Sequence, residues 1–202
     1  MKLTDVCGIQ MGYTLRGRVE PVASGGVRVI QMGDFSSDGR IEPDALACLP
    51  LEKNVDRYLV GAGDVLFRSR GERNTATALD DEFGEPALAA SPLIVLRPKK
   101  RKIEPAYLAW ALNQRRAQGH FDSWARGTRL RMVPKASLDE LEIDLPDLAT
   151  QRLIVEVERL ATRERHLVEV ATEKRKALLD VLLARRAGQQ LTRNKIKGRV
   201  AS

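Results

Sequence analysis

The stretch Thr150–Arg186 reads TQRLIVEVERLATRERHLVEVATEKRKALLDVLLARR, with no proline and with Gly188 as the next glycine. Steps of four and three from Leu153 land on Leu153, Val157, Leu160, Glu164, Leu167, Ala171, Lys174, Leu178 and Val181, and seven of these nine are apolar. That spacing is a heptad seam, the pattern that brings two helices together. Ile154, Ala161, Val168 and Leu182 widen it into a broader apolar face. At about 1.5 Å per residue the helix is roughly 50 Å long. A small domain cannot cover such a length, so the seam predicts a partner helix. Leu153, Val157, Leu160, Leu167, Ala171, Leu178 and Val181 are its predicted dimerisation residues. Glu164 and Lys174 either fix the register of the pair, at some cost in stability, or mark where pairing is imperfect. An amphipathic helix packed on its own domain is the alternative.

The residues before this helix read differently. Val27–Met32, Val65–Ser69 and Leu93–Arg97 are β-branched or apolar runs bounded by turn residues, and each predicts a strand. Val60–Asp64, with Gly61 and Gly63, predicts the turn before the second. Glu104-Pro105 opens a helix with Tyr107, Leu108, Ala111 and Leu112 on its apolar face and Gly119 as its stop. His120–Trp124 predicts a further short helical segment, and the alternation over Leu138–Pro146 another strand. The expected fold class is α+β: a mixed α/β domain over 1–148, then a long helix over 149–187 that pairs as a coiled coil. Residues 188–202, with Arg193, Lys195, Lys197 and Arg199, make a basic tail expected to be disordered.

The chain has 202 residues, 43% of them hydrophobic and 4% aromatic, so its core rests on aliphatic side chains. The net charge of +7 favours anionic partners, nucleic acid ahead of a membrane surface. Cys7 and Cys48 match no metal or redox spacing, which predicts reduced thiols in a cytoplasmic protein. No apolar run reaches the length of a membrane span. Catalytic signatures are missing. There is no Asn/Asp-Pro-Pro-aromatic site for adenine methylation, no Glu-x-Lys for a metal-dependent nuclease, no Gly-x-Ser-x-Gly and no Gly-x-x-x-x-Gly-Lys. Of the two histidines, His166 reads as a solvated helix residue and His120 as non-catalytic. The expectation is a non-enzymatic chain with no cofactor and no metal.

Several pieces, in their order, resemble the target-recognition unit of a type I restriction–modification specificity subunit. They are Leu3-Thr4-Asp5-Val6, Val29–Asp34, Leu59–Gly71 (LVGAGDVLFRSRG), Tyr107-Leu108, Gly127-Thr128 and Leu141–Ile154 (LEIDLPDLATQRLI). Asp144 stands where that family often has Pro, and Thr150 where it often has Glu before Gln151. The resemblance covers about residues 2–185 and rests on the ordered set rather than on any one motif. It implies a recognition domain followed by a spacer helix. Since a full-length subunit carries two of each, it also implies a half-subunit that pairs with a second copy. Double-stranded DNA, a modification (methyltransferase) subunit using S-adenosylmethionine and an ATP-dependent restriction subunit are the implied partners, and the chemistry would be theirs. A stand-alone DNA-binding dimer or a scaffold of another phage-defence complex is the competing reading.

Phosphate contacts need Lys and Arg, and base reading favours Arg on guanine and Asn or Gln on adenine. Three loops supply these residues. The first holds Arg68, Arg70, Arg73 and Asn74; the second Lys99, Lys100, Arg101 and Lys102; the third Arg126, Thr128, Arg129 and Arg131, with Arg115 and Arg116 close in sequence. Arg16 and Arg18 form a weaker fourth group. The first and third place Arg beside a glycine turn and are the better base-reading candidates, while the second suits phosphate contacts. A solvated charge run remains the alternative for any one of these residues. Trp110 and Trp124 are expected in the core rather than as stacking platforms.

Overall fold

The computed structural model describes residues 1–15, 20–22, 25–36, 39–50, 55–71, 74–125 and 132–199, with side chains to residue 187. Eight strands and five helices lie among the described residues. The strands are β1 (Cys7–Met11), β2 (Val27–Ile30), β3 (Ala47–Leu49), β4 (Leu59–Val60), β5 (Val65–Arg68), β6 (Ala76–Ala78), β7 (Ala87–Ala89) and β8 (Leu93–Pro98). The helices are α1 (Leu3–Val6), α2 (Pro105–Asn113), α3 (Arg115–Trp124), α4 (Lys135–Glu140) and α5 (Leu148–Arg199). The chain forms two compact units, Met1–Val155 and Glu156–Ser202. The fold is α+β, as expected.

Two four-stranded sheets make up the first unit, in the orders β1-β8-β5-β6 and β3-β2-β7-β4. The first is antiparallel throughout; the second contains one parallel pair, β2 with β7. Successive side chains on a strand point to opposite faces. On β5, Val65 and Phe67 enter the cluster that holds Leu108, Leu112 and Phe121, while Leu66 enters a second cluster with Ile30, Val60 and Ala89. On β8, Ile94 and Leu96 go to the first cluster and Leu93 and Val95 to the second. Both faces of these strands are therefore buried, which is why their sequences are continuous apolar runs rather than alternating ones. Gly12 carries the chain from the first sheet to the second. A Cβ there would sit 2.7 Å from the Ala89 carbonyl oxygen and 2.9 Å from that of Leu93, so only glycine fits.

Several expectations need correction. The strand over Val27–Met32 stops at Ile30, because Gln31 and Asp34 close a capping box around a 3-10 turn. Gly119 does not end a helix: α3 runs through it from Arg115 to Trp124. The break comes at Gln114, whose backbone is extended. Beside it, the Asn113 side chain accepts a hydrogen bond from Ala76 N–H and donates one to Ala76 C=O, both 2.9 Å, filling the place of a missing strand at the β6 edge. Leu138–Pro146 is not a strand. Its first part belongs to α4, which the Lys135–Asp139 pair at 2.8 Å spans at i,i+4. The alternation survives only in the extended segment that follows, with Leu141 and Ile143 buried and Glu142 and Asp144 exposed. Helix α5 has 52 residues and its backbone is helical to Arg199, past the boundary expected at 187. Gly188 and Gly198 are outweighed there by good helix formers such as Gln, Leu, Lys and Arg. Residues 200–202 of the expected tail lie outside the described residues.

Cys7 opens β1 in the core, where its thiol donates to the Leu3 carbonyl at 3.4 Å. Burial pushes the thiol up from 9.0 to about 12. The native fold thus favours the protonated thiol. The stability linked to that preference is complete below pH 9.0 and is lost as pH rises from there toward about 12. Iodoacetamide at pH 9 is expected to label the half-buried Cys48 and spare Cys7 until the chain unfolds. Mass spectrometry of the tryptic peptides checks this, and equal labelling of both thiols in the native chain would contradict it.

Candidate nucleic-acid interface

The hairpin between β5 and β6 carries the first basic loop. Arg68 ends β5, and its Nε donates to Thr75 Oγ1 at 2.7 Å while its guanidinium lies 5.1 Å from the centre of the Phe35 ring. Burial lowers the pKa of Arg68, and the side chain is held in place rather than free to search. Asn74 is only 7% exposed. Its amide donates to the Arg68 carbonyl at 3.0 Å, and its own carbonyl accepts from Gln118 Nε2 at 2.8 Å. Asn74 therefore closes the loop from inside, with its side chain largely shut off from solvent. Ser69, fully buried, donates to the Pro92 carbonyl. Arg70 points out to solvent. Arg73 lies outside the described residues.

The third loop returns to the same place. Arg70 forms an antiparallel bridge with Met132, and Val133 N–H donates to the Ser69 carbonyl at 2.8 Å. An Arg70 Nη2–Met132 Sδ contact of 3.7 Å adds to the pairing. The far end of the loop leaves from Trp124, at the end of α3. Trp124 and Met132, 37% and 38% exposed, thus flank the loop on its two sides. Arg126, Thr128, Arg129 and Arg131 lie outside the described residues, as do Arg16 and Arg18. Trp110, by contrast, packs against the core with its ring 5.3 Å from that of Tyr107. Arg116 is paired with Asp144 at 2.9 Å.

The second basic loop is elsewhere. Arg68 pairs with Leu93 at one end of the six-residue β8, and Lys99 follows Pro98 at the other. At about 3.4 Å per residue the two basic groups stand roughly 20 Å apart along that strand. Lys99 Nζ donates to the Thr4 and Asp5 carbonyls at 3.2 and 3.1 Å, and Lys102 Nζ reaches the Asp5 carbonyl at 3.4 Å. These two ammoniums satisfy carbonyls of α1. Lys100 and Arg101, at the tip of the turn, are exposed.

The same end of the first unit fastens the start of α5. Gln151 is fully buried. Its Oε1 accepts from Glu104 N–H at 2.9 Å, and its Nε2 donates to the carbonyls of Lys102 at 3.2 Å and Pro146 at 2.8 Å. The sequence showed Gln151 only as part of a motif; a lone Gln on a charged helix gives no sign of burial. Beyond it, the seam positions Leu153, Val157, Leu160, Leu167, Leu178 and Val181 are each between 51% and 64% exposed, and Ala171 is exposed as well.

Comparison with known proteins bears on this arrangement. The family model described as "Type I restriction modification DNA specificity domain" matches residues 1–174. The chain belongs to that family. Among curated relatives of this specificity domain, the "Putative type I restriction enzyme MjaX specificity subunit" of Methanocaldococcus jannaschii is 26% identical over 141 residues. That match takes in 66% of this chain and 33% of the relative. The HsdS subunit from Thermoanaerobacter tengcongensis superposes with a TM-score of 0.61 at 20% identity, over 84% of this chain and 38% of that one. A chain from a structure of type I R-M complex assembly and conformational transition gives 0.66 at 21% identity, over 90% and 42% respectively. The specificity domain here thus spans well under half the length of the relatives it matches, and the structural likeness extends to its fold.

Proposed function

We propose that this chain is the DNA-recognition component of a type I restriction–modification system. The observation that carries the reading is the Arg70–Met132 bridge. It sets Arg70, of the first basic loop, beside Met132, the residue that follows the third in sequence, in a chain of the specificity-domain family. Arg68 and Asn74 brace the first loop; Arg70 and, by their place in the sequence, the arginines of 126–131 are the base readers, with Trp124 and Met132 as their apolar neighbours in the chain. Residues 1–148 form the recognition domain. The helix from 149 onward pairs with that of a second copy through the Leu153–Val181 seam. A two-fold dimer reads a symmetric, interrupted site. The chain itself is non-catalytic. Methylation is done by a modification subunit docked on the dimer, and ATP-driven cleavage by a restriction subunit.

Deleting the gene and sequencing the methylome of the host is the test. Loss of one interrupted, symmetric methylated adenine motif is expected, and an unchanged methylome would sink the proposal. Against the motif so found, Arg70→Ala is expected to weaken binding about tenfold to a hundredfold, the worth of one good base contact. Binding to unrelated duplex should change much less. Fluorescence anisotropy with both duplexes measures the difference, and an equal loss on both would make Arg70 a phosphate contact instead.

A further inference from the structure

At the end of β8 away from Arg70, a cleft of about 530 Å³ opens between the Gly61–Asp64 turn, the Pro98–Glu104 loop and the first turns of α5. Four cations line it, Arg97, Lys100, Arg101 and Arg152, together with two carboxylates, Asp64 and Glu104. The carboxylates are already met. Arg152 lies 2.7 Å from Glu104, Arg97 lies 3.8 Å from Asp64, and Asp64 also accepts from Gly61 N–H at 3.1 Å. Arg97 is further occupied by Gln10 and by the carbonyls of Arg57 and Leu59. Lys100 and Arg101 have no hydrogen bond or ion pair among the described residues. Their two positive charges are left uncompensated at the rim of a concave site.

Two further features favour an anion there. Glu104 and Pro105, at the start of α2, form part of the wall, and the first turn of a helix carries partial positive charge. Arg101 has φ +73°, the one non-glycine residue in the left-handed region among the described residues. A long side chain is held there against the backbone's preference, in the manner of residues that serve a site. No hydrogen bond or ion pair among the described residues uses its guanidinium.

We infer that this cleft binds one phosphate group, clamped by Lys100 and Arg101 with Arg152 and the start of α2 behind it. The phosphate belongs either to the backbone of duplex DNA lying beyond the recognition surface or to a free phosphate-bearing molecule. The first source rests on the DNA-recognition reading above; the second does not.

The test uses the full chain and the double variant Lys100→Gln/Arg101→Gln, which keeps the side-chain stems and a non-glycine residue at 101. Both residues are exposed, so the melting temperature is expected to stay unchanged. One arm measures affinity for a mixed-sequence duplex across salt concentrations. If the phosphate is a DNA phosphate, the slope of log K against log salt falls by about 0.9 in the variant. The other arm titrates inorganic phosphate by calorimetry, with chloride at equal ionic strength as the control. If the ligand is free, saturable heat appears with the unaltered chain, disappears in the variant, and the DNA slope stays the same. An unchanged slope together with no phosphate heat overturns the inference. If the unaltered chain binds no duplex at all, the DNA-recognition reading falls on its own, and the phosphate titration alone decides the cleft.

Discussion

A chain carrying Leu160→Glu together with Leu167→Glu is expected to sediment as a monomer at concentrations where the unaltered chain sediments as a dimer. Both leucines are more than half exposed on a single α5, at 51% and 57%, so nothing among the described residues covers them. In a two-fold pair each substitution counts twice. Four leucines removed from a seam, at roughly 1.5–3 kcal/mol each, cost roughly 6–12 kcal/mol. A nanomolar dimer is held by about 12 kcal/mol, so the pair should not survive. Glu is a good helix former, so circular dichroism should show the helix retained while the dimer is lost. Proline at the same two positions should remove both. The functional consequence is specific: binding to two half-sites at the fixed spacing disappears, while weak binding to one half-site remains. A dimer that persists in the glutamate variant would mean that the seam is not the interface.

Gln151→Ala is expected to give the largest loss of stability from one polar substitution in the recognition unit. The side chain is fully buried and holds three backbone groups, at Glu104, Lys102 and Pro146. Alanine leaves one N–H and two carbonyls, all part-buried, without their partner. At roughly 1–2 kcal/mol each, the lower part of the range for such a group because all three are only part-buried, the cost is about 3–6 kcal/mol. For a unit of this size that lowers the melting temperature by roughly 10–20 °C. Gln151→Glu should be no better, since an oxygen replaces the amide nitrogen that faces two carbonyls. The neighbouring Arg152→Ala is the control. Its ion pair with Glu104 has one partner 69% exposed, and such pairs contribute about 1 kcal/mol or less. Scanning calorimetry separates the two variants, and equal melting temperatures would show that Gln151 is not the fastening of α5.

The strands that read clearly from the sequence are those buried on both faces. Val65–Arg68 and Leu93–Pro98 lie at the centre of the first sheet, and each opens with an unbroken apolar run, Val65–Phe67 and Leu93–Leu96. Ala76–Ala78 and Ala87–Ala89 carried no such signal, because alanine has little preference for a strand and only cross-strand pairing places them there. Gly119 misled as a helix stop because a single glycine is tolerated within a helix when nothing near it needs a left-handed turn. The basic residues were legible as a set, since charge is a property of composition. Their grouping was not. Asn74 looks in sequence like a base reader and in structure is a brace; Lys99 and Lys102 look like free phosphate contacts and in structure satisfy carbonyls of α1.

By itself the sequence determined the long helix, its unmatched apolar seam, the α+β class and the ordered motifs that mark the family. Each of these is written in local periodicity or in short runs of neighbouring residues. Only the tertiary structure decided that Arg70 pairs with Met132 while the second basic loop stands at the far end of β8. That grouping depends on antiparallel register across β5 and β8, a pairing of residues far apart in the chain that no local pattern records.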